Sequence, residues 1–466
     1  MQIVLAGYNL DAEVLAELLQ AAPRADATPE TLSAAYARIS RDPRPITELR
    51  RAARQEVEKA RRSNANIIFK MGHHSVAEHA VFNFDLIDVS RLALEEIEKF
   101  RLCSYTEKSQ RYQKLEGNFI VPEEIRTTNH EPLFTSLLAK QNKYYGELLA
   151  RGIEAEDARY VTPLATTGQV GMTLNARNLE LLLRRFASSQ LAEVRQIGQT
   201  MYELVSKIAP SIILFTAAND FDGKTYAELR AGVKGNRKRK LSARCQLVDY
   251  TRDADLKLIA ALLHTSTGTS FINCRRLAKA LSKKERLEFV KKACRHMEFY
   301  DSTLREFEHV VLTYDLVMSS SCFGQMKRHR LATITSQPYQ VELGVTVPPK
   351  LRAAGEENNY LRLMAETEEV FRQLAATVPA AAPYVLTGAH RKRSLLTVNA
   401  RELYHISRLR EDSHAQWEIR EVSAELTQFA RRVMPLTMLT IGGKDSYVAV
   451  YRQVFGREPK IAPPKE

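Results

Sequence analysis

The six residues Gln325-Met326-Lys327-Arg328-His329-Arg330 set an imidazole between two guanidinium groups. A guanidinium fork grips phosphates and carboxylates through paired N–H bonds, and an imidazole exchanges protons or hydrogen bonds near neutrality. A second polar stripe, from Asn399 to Arg420, holds Arg401, His405, Arg408, Arg410, His414, Glu418 and the chain's single tryptophan, Trp417. On one continuous helix, Arg401 would stack on His405, and Arg410, His414 and Glu418 would form a second ladder. Such a stripe is ordinarily a solvated face. Two histidines among several arginines suit an anion-binding surface instead. In His73-His74-Ser75-Val76-Ala77-Glu78-His79, His74 and Glu78 fall at i and i+4, a spacing a metal can use. The HExxH pattern is not met and no third ligand accompanies them, so no metal is expected. The sequence has no Gly-rich dinucleotide fingerprint, P-loop or GxSxG elbow. A bound nucleotide or cofactor would therefore rest on arginines, histidines and amides.

The elements that must position these residues occur twice. EHVVLTYDLVMSSSCFGQMKRHRLATITSQPY, from Glu308 to Tyr339, has a broken copy from Glu78 to Tyr112, EHAVFNFDLIDVSRLALEEIEKFRLCSYTEKSQRY. Each opens on Glu-His, continues as an apolar strand and a short helix, and ends in a basic cluster. His79 and His309 are 230 residues apart, and Asn175-Ala176-Arg177 and Asn399-Ala400-Arg401 are 224 apart, so two motifs recur in one order. The copies complement each other. Lys99-Phe100-Arg101 stands where the later copy has Arg-His-Arg, while Glu107, Ser109 and Arg111 stand where it has Ser336, Pro338 and Gln340.

Periodicity predicts a strand over Gln2–Leu5, helices over Asp11–Gln20 and Thr31–Ile39, and a charged helix over Ile46–Ser63. The strand Ala80–Ile87 reads as largely buried, with Ser90 capping the helix after it. Long helices are expected over Pro132–Ala150, Asn175–Ile208, Glu356–Ala376 and Asn399–Val433. The fold class is α/β (α+β), as two tandem repeats, each a small sheet packed with long helices. Repeat 1 spans 1–218, a basic linker 219–244, repeat 2 245–450 and a loose tail 451–466.

With 466 residues, 44% hydrophobic and 26% charged, the chain suits two or three globular units. Its beginning lacks the basic segment of a signal peptide, and no apolar run reaches the roughly 18 residues of a spanning helix, so no membrane is expected. Five scattered cysteines without a CxxC pair suggest reduced thiols and a cytoplasmic protein. The net charge of +13 lies partly in GNRKRKLSAR. Nucleic acid is a weaker explanation for it than a pocket for phosphorylated small molecules.

These motifs together resemble flavin-dependent thymidylate synthase (ThyX) in a double-length form. That family carries Arg-His-Arg followed after seven residues by Ser, preceded by His-x-(Ser/Thr)-x-x-Glu-His. Downstream come Asp-Ala-Arg, then Asn-x-Arg leading into His-Ala-Gln-Trp-Glu-Ile. Here the upstream motif resembles His73, Ser75, Glu78 and His79. The signature loop resembles Tyr105–Tyr112, with seven residues between Arg101 and Ser109. Asp157-Ala158-Arg159 resembles the next element. Arg-His-Arg is intact only at Arg328–Arg330, and the final motif is best kept over Asn399–Ile419.

The resemblance implies FAD-dependent conversion of dUMP to dTMP, with methylenetetrahydrofolate and NADPH as co-substrates and no enzyme nucleophile. In the family four subunits share sites, so a homodimer of this chain would mimic the tetramer. The implied substrate residues are Glu107, Ser109, Arg111 and Arg159 from repeat 1, and Gln325, Arg328 and Arg410 from repeat 2. Arg410 would orient and polarise the pyrimidine. FAD contacts would come from Arg328, His329, Arg330, Asn399, Arg401, His405 and His414, with His73, Ser75 and Ser40. The opposite pairing looks dead, with Pro383 for the arginine, Phe100 for the histidine, and Leu181 and Ser189 for His405 and His414. Two other readings stand beside this one. One is flavin-dependent C5-methylation or hydroxymethylation of another pyrimidine nucleotide or of RNA; the other is a non-catalytic flavin- or nucleotide-binding protein.

Overall fold

The computed structural model describes residues 1–18, 20, 26–39, 42–111, 113–233, 243–298 and 301–460. Packing divides the chain into two compact units, Met1–Lys238 with Val347–Gly388, and Arg239–Thr346 with Ala389–Glu466.

The first unit holds strands β1 (Gln2–Tyr8), β2 (Val81–Ser90), β3 (Ser104–Glu107) and β4 (Thr167–Asn175), antiparallel in the order β1-β2-β4-β3. In β2, Phe82, Phe84 and Leu86 are buried while Asn83 and Asp85 face water. The strand is thus buried on one face rather than largely enclosed, because period-2 alternation sends its polar side chains outward. Asp88 adopts φ 56° where the β2–β4 register slips. Ser90 then caps the helix Arg91–Ile97, its Oγ accepting from Ala93 N at 3.0 Å.

Buried side chains from the second half complete this unit. Helix Glu357–Thr377 packs on helix Glu131–Ala150, where the Gln141 amide donates to Thr367 Oγ1 and Val385 O at 2.9 and 3.0 Å. Leu164 N donates to Leu386 O at 2.7 Å. The Tyr384 hydroxyl donates to Glu193 at 2.7 Å, and the same carboxylate accepts Ser90 N and Oγ at 2.8 and 2.6 Å. Three donors thus satisfy one buried anion.

The second unit repeats the sheet with β5 (Cys245–Tyr250), β6 (Val311–Ser319), β7 (Thr333–Ser336) and β8 (Arg391–Asn399), in the order β5-β6-β8-β7. β6 has 9 residues where β2 has 10, the extra one being absorbed at the Asp88 irregularity. Leu312, Tyr314 and Leu316 of β6 meet Leu403 and Ile406 of helix Ala400–Arg410 and Val422 and Leu426 of helix Trp417–Val433. Fully burying each such aliphatic contributes about 1.5–3 kcal/mol. Ser319 caps the next helix and its backbone N donates to buried Glu418 at 3.0 Å, repeating the Ser90–Glu193 arrangement.

Several helices are shorter than their periodicity suggests. The stretch 175–208 folds as Ala176–Ala187 and Ala192–Ser206, the stretch 46–63 breaks at Glu56, and the stretch 399–433 breaks between Arg410 and Trp417. Within the expected linker, Asp220–Gly232 is helical, capped by Asn219. Residues 234–242 of that linker lie outside the described residues. The helix Tyr447–Phe455, packed through Tyr447 and Tyr451, runs into the expected loose tail, while 461–466 lie outside the described residues. All five cysteines are buried and none forms a disulfide. Among the described residues no helix is long and apolar enough to cross a membrane.

Candidate functional site

In the second unit, the short helix Ser320–Met326 delivers Arg328-His329-Arg330 alongside helix Ala400–Arg410. Arg328 and Arg330 are exposed, whereas His329 is only 2% exposed. Arg410 Nε donates to His329 Nε2 at 2.9 Å, and a second Arg410 nitrogen donates to Gln325 O at 3.2 Å. On its other side, His329 Nδ1 lies 3.4 Å from Oε1 of buried Glu402, long for a hydrogen bond. His405 Nδ1 is 3.5 Å from the same oxygen, and the two imidazole rings meet edge to face at 5.5 Å.

Charge follows from this geometry. Burial pushes the His329 imidazole below its ordinary range; Glu402 opposes that and Arg410 adds to it. Burial alone would raise the Glu402 carboxyl, but His329 and His405 outweigh it and hold it down to about 2. His329, Glu402 and His405 bring three possible metal ligands within 4.8 Å of one another. An arginine has only donors, however, so His329 Nε2 must accept. The neutral ring then carries its proton on Nδ1, the atom a metal would need. Proton and lone pair are already assigned.

The helix break removes the expected ladder. Asp412 Oδ1 accepts from the backbone and Nδ1 of His414 at 2.9 and 2.8 Å, and Ser413 N donates to Asp445 at 2.7 Å. Gln416 Oε1 then accepts from Glu418 N and Ile419 N, restarting the helix. His414 therefore sits exposed on a turn, and Glu418 points inward to Ser319. Asn399 caps the Ala400–Arg410 helix, and Arg401 bonds Glu308 and Thr303 O, each at 2.9 Å. Repeat 1 makes the same contacts, with Asn175 capping and Arg177 paired to Glu78. These residues build the helix start in both repeats.

In the first unit, Glu156 gathers two of the expected substrate residues. Its carboxylate pairs with Arg111 Nε at 2.7 Å and its carbonyl accepts Arg159 Nε at 3.2 Å. Arg159 is 8% exposed, and its buried Nη2 has no hydrogen-bond partner. Burial pushes this guanidinium below its ordinary range, and the neighbouring Arg111 acts in the same direction. Ser109 Oγ accepts from Arg111 N at 3.2 Å, so the loop is folded on itself. Glu107 turns instead to Arg91 in a buried ion pair. His73, just before the segment His74–His79, and Ser75, within it, are exposed, and Ser40 lies outside the described residues. That segment is a 3₁₀ helix, so His74 and Glu78 do not stack as they would on an α-helix. Glu78 is held by Arg177.

The counterpart of the His329 cluster in repeat 1 is uncharged and mostly apolar. Phe100 and Phe186 stand for His329 and Arg410, and their rings meet edge to face at 6.0 Å with the Arg185 guanidinium over Phe100. Leu181 and Asn178 stand for His405 and Glu402. Sequence reasoning missed Glu402, whose signal is this joint replacement.

The family model for thymidylate synthase complementing protein matches residues 19–211 and again 246–436. A flavin-dependent thymidylate synthase of Pyrococcus abyssi is 33% identical over 147 residues, 30% of this chain and 60% of that protein. The chain thus spans about three fifths of that relative's length. One of Clostridium tetani is 28% identical over 214 residues, 42% of this chain and 85% of that one. A UPF0159 protein of Chlamydia muridarum is 21% identical over 416 residues, 80% of this chain and 79% of its own. Among solved structures, a Helicobacter pylori ThyX complexed with FAD and dUMP is 18% identical, with TM-score 0.34 over 47% of this chain and all of that one.

Proposed function

Because the chain belongs to the thymidylate synthase complementing protein family through both of its repeats, we propose that it is a flavin-dependent thymidylate synthase. It converts dUMP to dTMP with methylenetetrahydrofolate and NADPH. The observation that carries this reading is the buried Arg159, its Nη2 unpaired, beside Arg111 on Glu156. Two guanidinium groups with little water suit the dianionic phosphate of a nucleotide, where each charge-assisted bond contributes about 1.5–3 kcal/mol.

Glu107, Ser109, Arg111 and Arg159 serve the phosphate side. Gln325, Arg328 and Arg410 serve the pyrimidine side, with Arg410 polarising the ring. Both sets act on one nucleotide in a homodimer. FAD would be held by Arg328, Arg330, His405 and His414, with buried His329 packed against His405, Asn399 and Arg401 shaping that surface, and His73 and Ser75 completing it. Exposed guanidinium and imidazole donors fit the diphosphate of such a cofactor. The cofactor supplies, when bound, the redox chemistry of methylene transfer and hydride delivery. The chain's own residues bind and orient the nucleotide, and none is required as a nucleophile.

Purified protein should be yellow and should form dTMP from dUMP, methylenetetrahydrofolate and NADPH. A yellow protein without product would favour another pyrimidine acceptor or a binding-only role. The variants Arg111→Ala and Arg328→Ala should each be inactive, and mixing them distinguishes sites built within one chain, which stay inactive, from sites shared by two chains, which recover in part.

A further inference from the structure

Four residues of the second unit change together between the repeats. His329, Glu402, His405 and Arg410 correspond to Phe100, Asn178, Leu181 and Phe186. Residues that build the scaffold behave differently. Asn399 and Arg401 keep their counterparts Asn175 and Arg177, and the Ser319–Glu418 pair keeps Ser90–Glu193. Glu402 therefore belongs with the variable set, although it sits one residue past the retained Arg401. A purely structural glutamate has no reason to vanish with the others.

The geometry says what connects them. Arg410 can only donate, so its 2.9 Å contact requires a lone pair on His329 Nε2 and a proton on Nδ1. A neutral imidazole in water prefers the opposite arrangement, with the proton on Nε2. Something must hold the less favoured tautomer. The group facing Nδ1 is Glu402 Oε1, 3.4 Å away, on a side chain 3% exposed. Its carboxyl is ionised through the working range, and a buried carboxylate favours an N–H aimed at it.

Resting on the reading of Arg410 given above, we propose that Glu402 is a positioning residue: it fixes the His329 tautomer, so that Nε2 receives Arg410 and orients its guanidinium toward the pyrimidine. His405, edge to face with His329 and 3.5 Å from the same carboxylate, braces the ring from the open side.

The test reads the tautomer directly. In protein labelled with ¹⁵N-histidine, the side-chain signals of His329, assigned by their loss in His329→Asn, should show Nδ1 protonated and Nε2 bare. Glu402→Gln should move the proton to Nε2 or leave a mixture. At saturating dUMP it should lower kcat about 10–100-fold while flavin content stays unchanged. Glu402→Asp, ionised but one methylene short, should show the same two effects if Glu402→Gln does not fold. A wild-type His329 with its proton on Nε2, or a doubly protonated ring, would overturn the proposal, as would either variant keeping both the tautomer and kcat. If the wild type forms no dTMP yet the tautomer is present and responds to Glu402, the positioning stands and the assigned reaction is what fails.

Discussion

Replacing Arg159 with methionine should separate nucleotide binding from folding. The side chain is 8% exposed, its Nε bonds Glu156 O at 3.2 Å, and its Nη2 has no partner. A guanidinium buried with so little compensation costs stability, so an apolar side chain of similar length should leave the unfolding free energy unchanged or raise it by about 1 kcal/mol. Binding should move the other way. Losing two charge-assisted bonds to a phosphate, at about 1.5 kcal/mol each, removes about 3 kcal/mol and weakens dUMP about 150-fold. Calorimetric titration with dUMP and with deoxyuridine isolates the phosphate term. The nucleoside should bind wild type and Arg159→Met alike, whereas dUMP should not. The reasoning fails if the variant binds dUMP within twofold of wild type, or if deoxyuridine is weakened equally.

Three further outcomes follow from the geometry. Glu402 falls from an ordinary 4.5 to about 2 in the fold, so it adds stability above pH 4.5 that is lost as pH falls toward 2, at most about 3 kcal/mol. Denaturant titrations across that range should be steeper for wild type than for Glu402→Gln, and parallel curves would contradict the assignment. A Cβ on Gly198 would lie 2.8 Å from Phe186 Cβ, so Gly198→Ala should cost about 1–3 kcal/mol in a thermal melt. An unchanged midpoint would mean that the two helices part without cost. Tyr384→Phe removes one of three donors from buried Glu193 and should cost about 1.5–3 kcal/mol; a loss below 0.5 kcal/mol would show the phenol contact to be dispensable.

Strands β1, β2 and β6 and the duplication were legible because alternation and repeated motifs are local signals, whereas β3, β4, β7 and β8 were not read from the sequence. Ser90 and Asn399 announced helix starts for the same reason. Helix ends were harder to read. The polar ladder Arg410, His414 and Glu418 keeps helical spacing through 411–416, but Asp412 ties His414 into a turn and Gln416 caps a new helix, contacts that periodicity does not weigh. At the site, arginines and histidines stood out by type. Glu402 did not, since a glutamate inside a charged helix reads as solvated until a buried imidazole is found opposite it. Arg159 was identified by its motif, yet only the fold shows it buried with a nitrogen unpaired. The pairing of Glu131–Ala150 with Glu357–Thr377 joins helices more than 200 residues apart, and each face suits many partners equally.

The phenol that reaches Glu193 is encoded almost two hundred codons after it, and Leu386 supplies the carbonyl for Leu164. The half of the protein that leaves the ribosome first is therefore the half that must wait. Its core cannot close until residue 388 has been translated, by which time most of the other half has emerged. A gene shortened after the first repeat would not encode a smaller version of this molecule, because its product would lack the helix and the tyrosine that finish the fold. What began as two copies has become a single reading frame that cannot be cut back to one.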